Sequence, residues 1–103
     1  MVRFMSFREE VLNLRLKEVV KNSGNYVFPE FLRAVRKSLG FTRASVAEML
    51  CISETRIHNI EAGKTKRPDV DLILTISHFY GLNPKFIEKR YNEYMKKRNT
   101  KEK

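Results

Sequence analysis

A chain of 103 residues, of which 42% are hydrophobic and 32% charged, has the composition of one folded domain with short tails and excludes a disordered chain. No apolar run approaches the roughly 20 residues of a membrane-spanning helix. The single cysteine, Cys51, cannot close an intrachain disulfide, and one thiol with two separated histidines lacks metal-ligand spacing. Without a secretion signal at the N-terminus, we expect a cytoplasmic protein that uses no metal or other cofactor.

The formal net charge of +9 favours a polyanionic partner without identifying one. The excess is uneven, because residues 84–103 carry a net charge of +5 whereas residues 29–83 carry only +2. A specific site in the middle of the chain must therefore depend on where individual charges are placed.

The first part of the chain has the three-and-four spacing of amphipathic helices. Apolar residues recur in this way over residues 6–21, and we expect this helix either to pack on the domain or to hold a second subunit. Pro29 suits the first turn of a second helix, because its missing N–H needs no partner there. Gly40 suits the C-terminal end of that helix.

Two short helices are expected next, joined by three residues. Thr42 can cap a helix that ends at Cys51, and Ser53 can cap another that spans residues 54–62. Gly63 is expected to close the second of these helices before a polar loop. The pair is therefore expected to form a tight helix-turn-helix.

Two further helices and a tail complete the chain. Asp69 can cap a helix that runs to Tyr80, and Pro84 can start a last helix with apolar residues as far as Met95. Residues 96–103 contain no apolar side chain, and we expect them to form a basic, disordered tail. Because no segment alternates like a strand, the predicted fold class is all-α.

The spacing of residues across the helix-turn-helix makes the pattern more specific than its shape alone. The residues that carry it are Leu32, Arg36, Leu39, Gly40, Thr42, Val46, Ala47, Leu50, Ile52, Ser53, Ile57, Ile60, Glu61, Gly63, Pro68, Leu72, Ile76 and Leu82. Over residues 31–87 the chain resembles the Cro and phage-repressor type, or XRE family, of helix-turn-helix DNA-binding proteins. The resemblance implies a five-helix lambda-repressor-like domain, which we place at residues 26–95. The additional N-terminal helix within residues 1–25 and the extension of the C-terminal helix lie outside the family pattern.

The resemblance also implies which side chains face the bases when the second motif helix enters the major groove. These are Glu54, Thr55 and Asn59, with His58 beside them on the same exposed face. The Asn59 amide can pair with adenine, the Glu54 carboxylate can accept from the cytosine amino group, and the Thr55 methyl can touch thymine.

Seven residues match the phosphate-contacting positions of the family. They are Thr42, Arg43, Ser53, Arg56, Lys64, Lys66 and Arg67. Arg43 replaces the usual glutamine at a helix N-terminus, where its charge opposes the helix dipole unless a phosphate is bound. Arg56 can equally form a local ion pair or read guanine, and the three loop cations have a simple solvated loop as their alternative.

Other matching positions have structural roles. The resemblance implies that Ile57 and Ile60 point inward, and that Arg36 and Glu61 form a buried ion pair that fixes the angle of the second motif helix. Cys51 stands where glycine is usual, at a position that needs a left-handed backbone. We therefore expect a slightly strained turn with a small packed thiol.

These observations predict a sequence-specific double-stranded DNA-binding transcriptional regulator, a repressor or an autoregulator. It is expected to act as a homodimer in which Tyr91, Tyr94 and Met95 can join a two-fold interface. The alternative is a protein-interaction module of the same fold that binds a partner through its N- or C-terminal helix. RNA binding is less well supported because no aromatic stacking platform is recognisable. No enzyme is predicted, since the sequence lacks a Gly-rich phosphate loop, paired catalytic acids and a nucleophile elbow.

Overall fold

The computed structural model describes residues 7–65 and 69–101, and it describes side chains from residue 10 to residue 98 within those ranges. Within these ranges the chain forms six α-helices and one turn of 3-10 helix, and it forms no strand. The elements are α1 (Phe7–Lys21), the 3-10 turn (Ser23–Asn25), α2 (Phe28–Ser38), α3 (Arg43–Leu50), α4 (Glu54–Glu61), α5 (Val70–Phe79) and α6 (Pro84–Lys101). The all-α prediction is confirmed.

The capping residues expected from the sequence begin three of these helices. Thr42 and Ser45 cap each other at the start of α3, because each hydroxyl accepts the backbone N–H of the other residue at 3.0 Å. The Ser53 hydroxyl accepts the Arg56 N–H at 3.1 Å at the start of α4. The Asp69 carboxylate accepts a backbone N–H at 2.9 Å at the start of α5. Local side-chain chemistry thus sets where the motif helices begin.

The hydrophobic core lies where α2 to α6 meet. Its most deeply buried apolar residues are Phe31, Leu32, Val35, Val46, Ile57, Ile73 and Ile87. Burying one side chain of this size contributes roughly 1.5 to 3 kcal/mol. Because Ile57 belongs to α4, the core holds this short helix in a defined place.

Helix α1 packs against the domain through one side. Leu16, Val19 and Val20 are half-buried against the core, whereas Leu14 on α1 remains 65% exposed. Helix α1 thus packs on the domain within one chain, and whether it also holds a second subunit stays a prediction.

The aromatic residues of α6 face the domain's own core. Tyr91 is buried, and its ring centroid lies 5.9 Å from that of Phe28 in an edge-on arrangement. The Tyr94 ring lies 6.1 Å from the same Phe28, and Met95 packs partly buried beside the core. Tyr91 is therefore occupied within the domain, whereas Tyr94 and Met95 keep part of their surface exposed, and their place in a two-fold interface stays a prediction.

Helix α6 also continues farther than the sequence indicated. It runs to Lys101, so the expectation of a disordered tail is wrong for residues 96–101. Arg98 donates to the Thr65 carbonyl at 2.8 Å and to the Tyr94 hydroxyl at 3.0 Å, which ties this end of the helix to the loop after α4. Lysine and arginine favour helices, so this polar part of α6 can stay helical although it has no apolar side chains to bury.

Candidate nucleic-acid interface

Residues 51–53 form the turn between α3 and α4. The Ile52 N–H donates to the Ala47 carbonyl at 3.0 Å and the Cys51 N–H to the Glu48 carbonyl at 3.3 Å, which is the Schellman arrangement. Cys51 has φ 56° and ψ 42° and is the one non-glycine residue with positive φ in the described ranges. The left-handed conformation expected at this position is confirmed.

The expected packing of the Cys51 thiol is wrong, because the side chain is exposed. A residue in the left-handed position lies beyond the last helical turn. The following residue, Ile52, takes the inward place and packs half-buried against the core. Cys51 therefore serves the turn through its backbone conformation.

The side of α4 that faces the domain, here called the inner face, consists of Ile57, Ile60 and Glu61. The two isoleucines are buried in the core. Glu61 receives two hydrogen bonds from Arg36 of α2, from Nε at 2.7 Å and from Nη2 at 3.1 Å. Arg36 also donates from Nη1 to the Phe41 carbonyl at 2.8 Å. This bidentate pair joins α2, the segment after it and the end of α4.

Tyr80 is buried and interacts electrostatically with both members of this ion pair. Burial raises the pKa of its hydroxyl, the Glu61 carboxylate raises it further, and Arg36 opposes them. The phenol therefore stays neutral throughout the physiological range. In such a low-dielectric environment the attraction between Arg36 and Glu61 is strong, and removing either partner would leave a charge without compensation.

The opposite side of α4, here called the outer face, carries the four side chains expected to meet bases. Glu54 and Thr55 are exposed, and His58 and Asn59 are half-buried. Positions one, two, five and six of a helix fall on one stripe, so the structure brings the four together. The outer face holds one carboxylate, one hydroxyl, one imidazole and one amide, which can together donate to and accept from base edges.

Four residues expected to contact phosphates lie at the starts of α3 and α4. Thr42 is exposed and Arg43 half-buried at the start of α3, and Ser53 is exposed at the start of α4. The Arg56 guanidinium lies 3.9 Å from the Asp69 carboxylate, and both side chains are about half exposed. The local ion pair considered for Arg56 therefore exists, but at this distance and exposure it is weak and can yield to a phosphate.

The loop after α4 was expected to supply three more cations. Lys64 is exposed, and its backbone N–H donates to the Asn59 carbonyl at 2.9 Å, which closes the end of α4. Lys66 and Arg67 lie outside the described residues.

The helix-turn-helix domain family matches residues 30–95 of the chain, from α2 into α6. The chain belongs to this family. The match confirms the resemblance to XRE-type helix-turn-helix DNA-binding proteins, and the all-helical fold is of the lambda-repressor type. Helix α1 lies before the matched residues. No curated protein and no solved structure matches the chain.

Helix-turn-helix families of this type bind DNA and are generally non-enzymatic. Within the described residues of this member, no three His, Cys, Asp or Glu side chains lie close enough together to hold a metal ion. None of the helices in the same ranges combines the length and apolarity needed to cross a bilayer.

One contact in this helix-turn-helix could not be anticipated from the sequence. Nη1 of Arg43, the first residue of α3, contacts Nδ1 of His58 on the outer face of α4. The two residues are 15 positions apart on different helices, and the resemblance assigns one to phosphates and the other to bases. No sequence signal joins them. By contrast, the reciprocal cap from Ser45 could have been found from the Thr42-x-x-Ser45 spacing.

Proposed function

We propose that this chain binds duplex DNA sequence-specifically through α4 in the major groove and acts as a transcriptional repressor. The observation that supports this most is the division of α4 into a buried inner face and a polar outer face. A helix about 10 to 12 Å across fits the major groove, which is about 12 Å wide. A helix held in this way can present its polar side chains to base edges without rearranging.

The outer face is proposed to read bases, with Asn59 directed at adenine, Glu54 at cytosine and Thr55 at a thymine methyl. His58 lies between Thr55 and Asn59 on the same stripe and is proposed to read a base as well. These four side chains have different hydrogen-bonding capacities, so together they can distinguish one short sequence from another.

The residues at the two helix starts are proposed to bind phosphates. The Thr42 and Ser53 hydroxyl oxygens each accept a backbone N–H, which leaves each O–H proton available for a phosphate oxygen. Arg43 and Arg56 supply positive charge near the helix starts, and Lys64, Lys66 and Arg67 of the loop after α4 are proposed to bind further phosphates. Phosphate contacts of this kind position the protein on the duplex without selecting a sequence.

We further propose that two copies bind together. Helix α4 has eight residues, so one copy can read only a short half-site, whereas a two-fold pair reads two half-sites about 10 base pairs apart. In sedimentation experiments with its selected DNA, the protein is expected to form a complex of two chains per duplex. A one-to-one complex on a single half-site would contradict the pairing and leave base reading untouched.

Selection of bound duplexes from a random DNA pool at physiological salt tests the proposed function. We expect one enriched motif, and titration should show binding to it at least about a thousandfold tighter than to scrambled DNA. Binding to both duplexes should weaken as salt rises, because phosphate contacts release counterions. Equal affinity for the selected and scrambled duplexes would contradict sequence-specific reading.

Occupancy of a promoter is the second part of the proposal. If the protein represses, a promoter that contains the selected motif should give less transcript in vitro as the protein is added, and a promoter with a scrambled motif should not. An increase in transcript from the motif-bearing promoter would identify an activator.

A further inference from the structure

Arg43 and His58 make the one side-chain contact described between the start of α3 and the outer face of α4. The Arg43 side chain is half-buried, as is the imidazole, so both have a defined surrounding while keeping part of their surface in solvent. The contact joins Nη1 of the guanidinium to Nδ1 of the ring. It connects a residue expected to bind phosphate with one expected to face a base.

The chemistry of the two groups determines which way the hydrogen bond runs. A guanidinium has five N–H donors and no acceptor, so Arg43 must donate and Nδ1 of His58 must accept. In a neutral imidazole the single ring proton then lies on Nε2. Nε2 is on the other side of the ring from Nδ1, so His58 carries one N–H donor directed away from Arg43.

We infer that Arg43 is a positioning residue that fixes the tautomer and orientation of His58, so that Nε2–H donates to an acceptor on a guanine edge. This rests on the proposed function, since it names what one side chain of the outer face reads. Guanine presents two acceptors in the major groove, N7 and O6, whereas cytosine presents only an amino donor. A single fixed donor can therefore bind guanine through either of two neighbouring acceptors and cannot bind cytosine, whereas adenine N7 and thymine O4 each offer it one acceptor.

The same contact links binding of the DNA backbone by Arg43 to recognition of a base by His58. Arg43 uses one of its five N–H groups on His58, so its other donors can still bind a phosphate oxygen. A phosphate bound by Arg43 at the start of α3 would hold the guanidinium and, through it, the imidazole. Correct placement on the backbone and correct orientation of the reading group then occur together.

The tautomer can be measured in the full-length protein without DNA. Long-range ¹H–¹⁵N spectra at pH 8 distinguish a protonated from an unprotonated ring nitrogen. We expect the wild-type His58 ring to exist as the Nε2–H tautomer alone, while the exposed His78 shows a mixture. In Arg43→Ala, His58 should also become a mixture. A wild-type His58 with the proton on Nδ1, or with the same mixture as His78, would overturn the inference.

The reading role is measured by repeating the DNA selection with Arg43→Ala, His58→Ala and the double variant. Both single variants should lose about tenfold of the preference for guanine over cytosine at the same position, and the double variant should lose no more. Lys64→Ala is the matched control, because it removes an exposed cation that is proposed to contact only phosphate and should weaken all sequences alike.

Retention of the full guanine preference in Arg43→Ala, with weaker binding to every sequence, would reduce Arg43 to a phosphate contact and overturn the positioning role. A wild-type protein with no base preference would overturn the proposed function and the guanine assignment together. The tautomer measurement in the free protein is independent of that result, so the two failures can be told apart. Circular dichroism of each variant checks that the helices remain formed.

Discussion

Helix α4 has eight residues, and its inner and outer faces differ in burial and in contacts. The inner face is buried and bonded to α2, whereas the outer face is largely exposed, and its one described side-chain contact to another helix is the one between His58 and Arg43. Loss of DNA binding can therefore have two physical origins in this helix. A change on the inner face acts through folding, and a change on the outer face acts through recognition.

The largest effect is expected from breaking the ion pair on the inner face. Glu61→Ala leaves Arg36 buried without a counter-charge, and the free energy of unfolding should fall by about 3 to 5 kcal/mol. Urea denaturation followed by circular dichroism measures this loss. Loss of DNA binding in this variant would follow from unfolding and would not identify Glu61 as a DNA contact.

The matched control for that experiment replaces both partners. Arg36→Met combined with Glu61→Leu removes both charges while keeping most of the volume, so the double variant should be more stable than Glu61→Ala. A Glu61→Ala protein as stable as wild type would show that the pair is solvated and would remove the distinction between the faces at this position.

A smaller loss is expected from the apolar part of the inner face. Ile57→Ala should lower the free energy of unfolding by about 2 to 5 kcal/mol, because the side chain is buried in the core and leaves a cavity. Thr55→Ala is the control on the outer face and should change stability by less than about 0.5 kcal/mol. Equal losses at the two positions would mean that the faces do not differ in packing.

Replacing Asn59 tests the outer face through base preference, whereas the inner face was tested through stability. Asn59→Ala should leave stability nearly unchanged and relax base preference at one position, by about 1 to 3 kcal/mol of discrimination. Lys64→Ala is the comparison, since loss of a phosphate contact should weaken all sequences alike and reduce the salt slope by about 0.9. An unchanged preference in Asn59→Ala would remove Asn59 from the reading residues.

The smallest predicted change lies in the turn that positions both faces. Cys51→Gly should raise the free energy of unfolding by about 1 kcal/mol, because glycine adopts the left-handed conformation without the penalty of a side chain. For a domain of this size that corresponds to a rise in Tm of roughly 4 to 8 °C in a thermal melt.

Gly63→Ala is a control for Cys51→Gly, because the expected change in the free energy of unfolding has the opposite sign. Gly63 ends α4 with φ 69°, and an added Cβ would lie 3.6 Å from the Tyr94 hydroxyl, which is an ordinary contact. Gly63→Ala should therefore lose stability through its backbone conformation and not through a clash. No gain in Cys51→Gly would show that the turn at Cys51 is relaxed.

Features set by neighbouring residues could be predicted from the sequence. Thr42 and Ser53 cap helices because each hydroxyl reaches a backbone N–H three residues on. The left-handed conformation of Cys51 was implied by the resemblance, since glycine is usual at this position of the family. The contact between Arg43 and His58 could not be predicted, since it depends on how α3 and α4 cross. Sequence position assigns a side chain to a face, but it does not say which neighbour it meets there.

The C-terminal part shows the same limit. An absence of apolar residues after Met95 indicated disorder, yet α6 continues to Lys101. Arg98 is bonded to the Thr65 carbonyl, which is 33 residues away, and Tyr91 is turned into the core. Hydropathy along the chain records burial well, but it does not record long-range hydrogen bonds that hold a polar helix against a loop.

The outer face of α4 is proposed to read DNA, while the inner face holds the helix in place. Changing Glu54, Thr55, His58 and Asn59 together to alanine, and selecting DNA with this variant and the wild type in parallel, tests this division. Alanine favours helix, so the variant should melt as the wild type does. We predict that the wild type enriches one motif and that the folded variant enriches none. Enrichment of the same motif by both proteins would contradict base reading by the outer face of α4.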